Sequence, residues 1–113
     1  MENFEKINVD GVFVIAVNAI RATLNEAIAL RKIVKEDINY GHTKLVIDLS
    51  KCTYIDSNFF GAIIAASRML IDIGYKLKVV KQAIAGEYIF INTNTDKILD
   101  KYKTREEAIK SFE

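Results

Sequence analysis

The stretch from Leu45 to Val80, "LVIDLSKCTYIDSNFFGAIIAASRMLIDIGYKLKVV", decides how the chain folds. It opens on a short apolar run that closes at Asp48-Leu49-Ser50, the pattern of a buried strand ending in a polar turn. After a loop, Phe59, Ile63, Ala66, Leu70 and Ile73 recur at helical spacing. They predict a helix over 59–73 with one apolar side against a sheet, and Gly74 is placed to stop it in the left-handed conformation. "YKLKVV" alternates and then turns fully apolar, which predicts a further strand over 77–80. Strands alternating with helices in this way mean a sheet with helices packed against it.

The junction between loop and helix holds three residues of capping type in a row, Asp56, Ser57 and Asn58. One suffices to satisfy a helix start, so the serine has two readings. As an N-cap its hydroxyl contributes about 1 kcal/mol over alanine. Alternatively, the unpaired N–H groups and partial positive charge of the helix start suit an anion, including a phosphate carried by the serine itself. The aspartates also have two readings: Asp48 and Asp56 as a carboxylate pair, or, as favoured here, Asp48 as the end of a strand and Asp56 as the cap of the following helix.

Working outward, "FEKINVDGVFVIAV" reads as a β-hairpin, because Asp10-Gly11 is the dipeptide that a two-residue type I′ turn favours. Val12 to Val17 is almost continuously apolar, as expected of a strand covered on both faces. Leu24 to Tyr40 predicts a helix with Leu24, Ala27, Ile28, Val34 and Ile38 on its inner side, opened by a Thr23/Glu26 capping box and closed by Gly41. "GEYIFINTNTD" fits a strand or a helix by pattern alone. Thr104 with Glu107 is a second capping box and opens a short helix, "REEAIKSF". The predicted order is therefore β-β-α-β-α-β followed by one or two helices.

The chain of 113 residues fits a single domain, 1–113. Its charges nearly cancel, 16 Lys and Arg against 15 Asp and Glu, and are interspersed, unlike the clustered basic excess of a nucleic-acid binder. Cys52 stands alone, so no internal disulfide or CxxC site is available, and His42 is the single histidine, in a segment read as an exposed turn. No metal cluster can be assembled from these residues, and no cofactor is expected. Neither nucleotide-cradling glycine motif occurs. With no activated nucleophile and base, the chain is not read as an enzyme. Nor does it contain a signal-peptide core or a membrane-length apolar run, which points to the cytoplasm.

From Val46 to Val80 the chain resembles the central half of STAS domains, in particular the bacterial anti-sigma-factor antagonists. The pieces are the strand ending in Asp48-Leu49-Ser50, the loop, Ile55-Asp56-Ser57, the helix of small and apolar residues from Gly61 to Ile73, the Gly74 stop and the strand Leu77 to Val80. The leading hairpin, the first helix and the closing "YKTREEA" also fit. The resemblance implies an α/β STAS-type fold: a mixed sheet of four to five strands opened by a β-hairpin, with helices packed mainly on one face. It makes "EYIFINT" a helix, with Asn94 at the turn after it.

In the antagonists, the serine matching Ser57 is phosphorylated by a partner that is both an ATPase-type serine kinase and an anti-sigma factor. A metal-dependent serine phosphatase reverses the modification. The unphosphorylated antagonist binds the anti-sigma factor and frees the sigma factor. Carried over, this makes Ser57 the phosphorylation site with Asp56, Asn58 and Arg21 as its neighbours. Asp56, Ser57, Asn58, Phe60 and Ile64 become the partner-binding residues. No direct nucleic-acid contact or membrane insertion is implied, and homodimerisation is left open.

Two departures qualify the match. Asn58-Phe59-Phe60 stands where relatives carry a small residue, glycine and an apolar residue. Phe59 either packs into the core or crowds the serine, and Phe60 with Ile64, Ser67 and Ile71 forms either further core or a partner-facing patch. Arg21 occupies the place where many antagonists have an acid, which reverses the local field; it is either a solvated arginine or a partner for a phosphate on Ser57. The alternative function is a STAS adaptor subunit in a larger assembly, such as a stressosome or a lipid-transport ABC complex. A nucleotide-binding STAS domain is the third reading.

Overall fold

The computed structural model describes residues 3–82, 95 and 97–113. The hairpin joins β1 (Phe4–Val9) to β2 (Val12–Val17) in antiparallel register, Phe4 opposite Val17 and Val9 opposite Val12. Asp10 and Gly11 both take positive φ, 52° and 86°, as the predicted I′ turn demands. There follow β3 (Arg21–Ala22), α1 (Leu24–Asn39), β4 (Leu45–Asp48), β5 (Tyr54–Ile55), α2 (Ser57–Ile71), β6 (Leu77–Val80), β7 (Leu99–Tyr102) and α3 (Arg105–Lys110).

The main sheet has five strands in the order β1-β2-β4-β6-β7, and the pairs β2–β4, β4–β6 and β6–β7 are parallel. It is thus the mixed, hairpin-opened sheet that the sequence implied. β3 and β5 form a separate two-stranded parallel ribbon. Alternation along the strands divides the core in two. Ile15, Ile47 and Leu77 face α1 and α2 in one cluster with Leu30, Phe59, Ile63 and Leu70. Val12, Val14, Val46 and Val80 form the other cluster with Ala108 of α3. Because both faces are covered, β2 and β4 are apolar almost throughout.

Three expectations are corrected. In α1 the buried side is Ala27, Leu30, Ile33, Val34 and Asp37, whereas Leu24 and Ile28 are exposed. The helix can turn Asp37 inward because Lys6 of β1 and His42 both meet its Oδ1. His42, just past the turn at 40–41, has a structural role, and its ring stacks on Phe13 at 3.8 Å. In α2 the last position of the predicted stripe, Ile73, lies beyond the helix end and is exposed, with Gly74 turning the chain at φ 90°. Finally β7, "LDKY", was not anticipated; of its residues only Leu99 is buried, so it lacks the apolar pattern of the inner strands. The predicted helix over "EYIFINT" lies outside the described residues.

Candidate functional site

The carboxyl edge of β4 continues into a loop that is fastened at nearly every step. Leu49 N–H donates to Val80 O at 3.0 Å, and Cys52 N–H to Leu49 O at 2.9 Å. The side chain of Gln82, the second residue after β6, donates to Cys52 O at 3.1 Å. Thr53 and Tyr54 N–H both reach Ile20 O, at 2.8 and 3.2 Å, and Asp56 N–H donates to Ala22 O at 3.1 Å. The β3–β5 ribbon therefore holds the approach to α2 from one side and the main sheet from beneath. Cys52 is buried, its Sγ directed at Val17 O at 3.8 Å, and burial pushes its thiol up to about 11, with Asp48 and Glu26 adding to the effect.

At the end of this loop the three polar residues separate into different roles. Asp56, with extended backbone (φ −86°, ψ 176°), is the N-cap: its Oδ1 accepts from Phe59 N–H at 2.9 Å. Asn58 is exposed and its Nδ2 lies 3.4 Å from Asp56 Oδ2. Ser57 is the first residue of the helix rather than its cap; it is exposed, and its hydroxyl has no partner among the described residues. Reading Ser57 as a plain N-cap is thus overturned, because the aspartate one position earlier takes the bond.

Phe59 is fully buried, 0% exposed, at the centre of the larger core cluster, and so points away from the serine. Phe60 and Ile64 are half-buried and pack against the rim of that cluster, between the two readings of the sequence. Ser67, on the same flank, is buried and donates to Ile63 O at 2.9 Å. Arg21 lies on β3, in register with Tyr54, and its guanidinium sits 4.3 Å above the Tyr54 ring. The ribbon thus brings Arg21 alongside the segment that leads into Ser57, with its charge resting on an aromatic face.

Sequence reasoning missed the β3–β5 ribbon and an exposed apolar patch beside it. Ile20, Leu24 and Ile28 are 68%, 53% and 60% exposed, and Ile20 supplies the carbonyl that anchors Thr53 and Tyr54. Leu24 and Ile28 had been assigned to the core stripe; the signal that could have freed them is the sufficiency of Ala27, Leu30, Ile33 and Val34 for one helical face.

Among the described residues there is no group of three or more His, Cys, Asp or Glu suited to a metal ion. No helix among them is long and apolar enough to cross a membrane. The STAS domain profile matches residues 5–108. The chain belongs to the STAS domain family. Known structures place this STAS domain beside anti-sigma factor antagonists. A Thermotoga maritima protein described as one is 25% identical, with a TM-score of 0.82 over 96% of this chain and 92% of that one. An anti-sigma factor antagonist of Mycobacterium paratuberculosis is 24% identical, with a TM-score of 0.82 over 96% and 91% of the two chains. The Bacillus cell fate determinant SpoIIAA in its phosphorylated form shares the fold at 17% identity, with a TM-score of 0.77 over 97% and 99%. No curated protein matches the STAS chain by sequence.

Proposed function

We propose that this STAS domain is an anti-sigma-factor antagonist whose binding to an ATPase-type anti-sigma factor and serine kinase is switched by phosphorylation of Ser57. The observation that carries this reading is the division of labour at α2. Asp56 caps the helix, so the exposed Ser57 hydroxyl is left without a partner among the described residues. A phosphate there adds about −1.5 to −2 charge at a helix start, where the dipole tolerates it. The loop beneath is tied to two sheets and need not move. A partner surface fitted to a neutral serine beside Asp56 would instead meet a new negative charge, and like-charge juxtaposition of that kind costs several kcal/mol of affinity. Asp56, Ser57, Asn58, Phe60 and Ile64 form the contact, with the exposed Ile20, Leu24 and Ile28 extending its apolar part. A serine phosphatase restores the binding form.

Burial of Phe59 removes one of the two objections to this reading, since the phenylalanine does not crowd Ser57. Arg21, which replaces an acid, is the observation that favours the adaptor alternative. In the antagonist reading Arg21 supports the phosphorylated form. Phosphorus NMR of phosphorylated protein then gives a higher second phosphate pKa in Arg21→Ala than in the unsubstituted chain; equal values refute this role.

The deciding experiment incubates the protein with the ATPase-type serine kinases of its own genome and ATP, then maps phosphate by mass spectrometry. Phosphate on Ser57 with loss of kinase binding supports the switch. Phosphate on the exposed Thr53 with Ser57 unmodified, or binding that phosphorylation leaves unchanged, overturns it. Ser67 is fully buried and serves as an internal negative control.

A further inference from the structure

The chain leaves the carboxyl edge of the main sheet toward opposite faces. After β4 it passes through Ser50 toward α2 on one face, whereas after β7 it passes through Lys103 and Thr104 into α3 on the other. In open α/β sheets, small molecules bind in the crevice outside the strand ends where such exits diverge. Here that crevice is an open depression of about 340 Å³, lined by Asp48, Ser50, Lys103, Arg105 and Glu106 over the end of β6 at Val80. The volume lies within the range of small-molecule sites, roughly 300–1,000 Å³.

Its polar equipment is arranged around one ion pair, of a buried aspartate with a half-buried arginine. The Asp48 carboxylate is 4% exposed; Oδ1 accepts from Ser50 N–H at 2.9 Å and Oδ2 from Arg105 Nε at 2.8 Å. This single-nitrogen contact fixes the guanidinium while its two terminal amino groups have no partner among the described residues. Lys103 and Glu106 are exposed and have no ion-pair partner among the described residues either. Thr104 contributes little to a ligand, because its hydroxyl already accepts from Glu107 N–H at 3.1 Å.

A pre-fixed arginine with a free fork is a carboxylate receptor, and Lys103 reinforces it. Two acids balance the two bases, however, so a phosphate dianion would bring uncompensated charge next to Glu106 and Asp48. A ligand that matches the wall carries both signs. We propose that this crevice binds a small zwitterion, an α-amino acid or a similar amine-bearing carboxylate. Arg105 and Lys103 take the carboxylate and Glu106 takes the amine. Ser57 does not line the crevice, and the proposal does not depend on the antagonist reading.

The test is a titration of the whole chain, followed by amide shifts in proton–nitrogen NMR, with each common amino acid and with acetate, ethylammonium and inorganic phosphate as single-charge and dianion controls. Saturable shifts at Ser50 and at 103–106 with one or more amino acids are expected. Lys103→Ala and Glu106→Gln, exposed changes that leave the Asp48–Arg105 pair intact, should each weaken binding roughly tenfold. Absence of saturable shifts with every amino acid overturns the proposal. So does equal binding by acetate or phosphate, or a Glu106→Gln protein that binds as before.

Discussion

Replacing Asp56 and Ser57 one at a time separates the cap from the candidate switch. Asp56 Oδ1 holds Phe59 N–H at 2.9 Å, whereas the Ser57 hydroxyl holds nothing among the described residues. Loss of an N-cap to alanine costs about 1 kcal/mol, and loss of a carboxylate at a helix start adds about 0.3–1 kcal/mol. Asp56→Ala should therefore destabilise by about 1.5 kcal/mol. The 113 residues imply an unfolding entropy of about 240 cal/mol/K at the midpoint, so Tm should fall by about 6 °C. Asp56→Asn keeps the accepting oxygen and loses only the charge, which predicts a fall of about 1–4 °C. Ser57→Ala gives up no bond and should stay within about 2 °C of the unsubstituted protein. Thermal unfolding by circular dichroism measures all three. A Ser57→Ala protein as destabilised as Asp56→Ala would mean that the hydroxyl is a structural cap after all, and the argument for its availability to a kinase would collapse.

Other substitutions probe the frame beneath the site. Phe59→Ala empties the centre of the larger core cluster and should cost about 3–5 kcal/mol by urea unfolding, against about 1 kcal/mol for Phe59→Leu. Lys6→Met leaves the fully buried Asp37, whose Oδ2 already lacks a partner, with His42 alone; a loss of about 1–3 kcal/mol is expected, while Lys32→Met on the exposed side of α1 should change stability by less than about 0.5 kcal/mol. The native Cys52 thiol keeps its proton up to about 11, whereas the unfolded thiol loses it near 9.0, so its contribution to stability is complete below pH 9 and disappears as pH rises toward 11. Urea midpoints taken across that range should fall less steeply for Cys52→Ala.

The sequence carried the sheet and its central connection because those segments bury nearly every apolar side chain they have. β2, β4 and β6 are such runs, and the glycines at 11, 41 and 74 all take the positive φ that punctuation required. β7 escaped notice because an edge strand needs partners on one side only, and "LDKY" instead pairs charges across the sheet, with Asp100 meeting Lys76 and Lys78. The inner side of α1 was misjudged for a related reason. Periodicity ranks Asp37 as polar, and only the fold brings Lys6 from thirty-odd residues away to neutralise it. At the site, the three capping residues were legible as a surplus, but not which of them does the capping. That depends on the backbone at Asp56, whose extended ψ of 176° aims the carboxylate at Phe59 N–H. The crevice beside Asp48 was invisible, since Asp48 and Arg105 are far apart in the chain and meet only where β4 ends under α3.

A phosphorylation switch of this kind works only if the added charge is read by a partner and ignored by the fold. Both conditions have a physical basis here. The helix start accepts negative charge, and the loop from Leu49 to Asp56 is anchored through Val80, Ile20, Ala22 and Gln82, so this loop is not poised to rearrange. Under the proposed function the response would lie in the field above the surface, to which the Asp56 carboxylate and the Arg21 cation contribute opposite signs. On the ribbon, 4.3 Å over the Tyr54 ring, Arg21 offers a cation where the family resemblance leads one to expect an acid. If the proposed function holds, a partner with negative or neutral groups opposite Arg21 would be repelled by phosphate on Ser57, which would also draw the arginine away from it. The two effects would act in the same direction, so a cation at Arg21 is compatible with the proposed switch and bears on which partner could be switched.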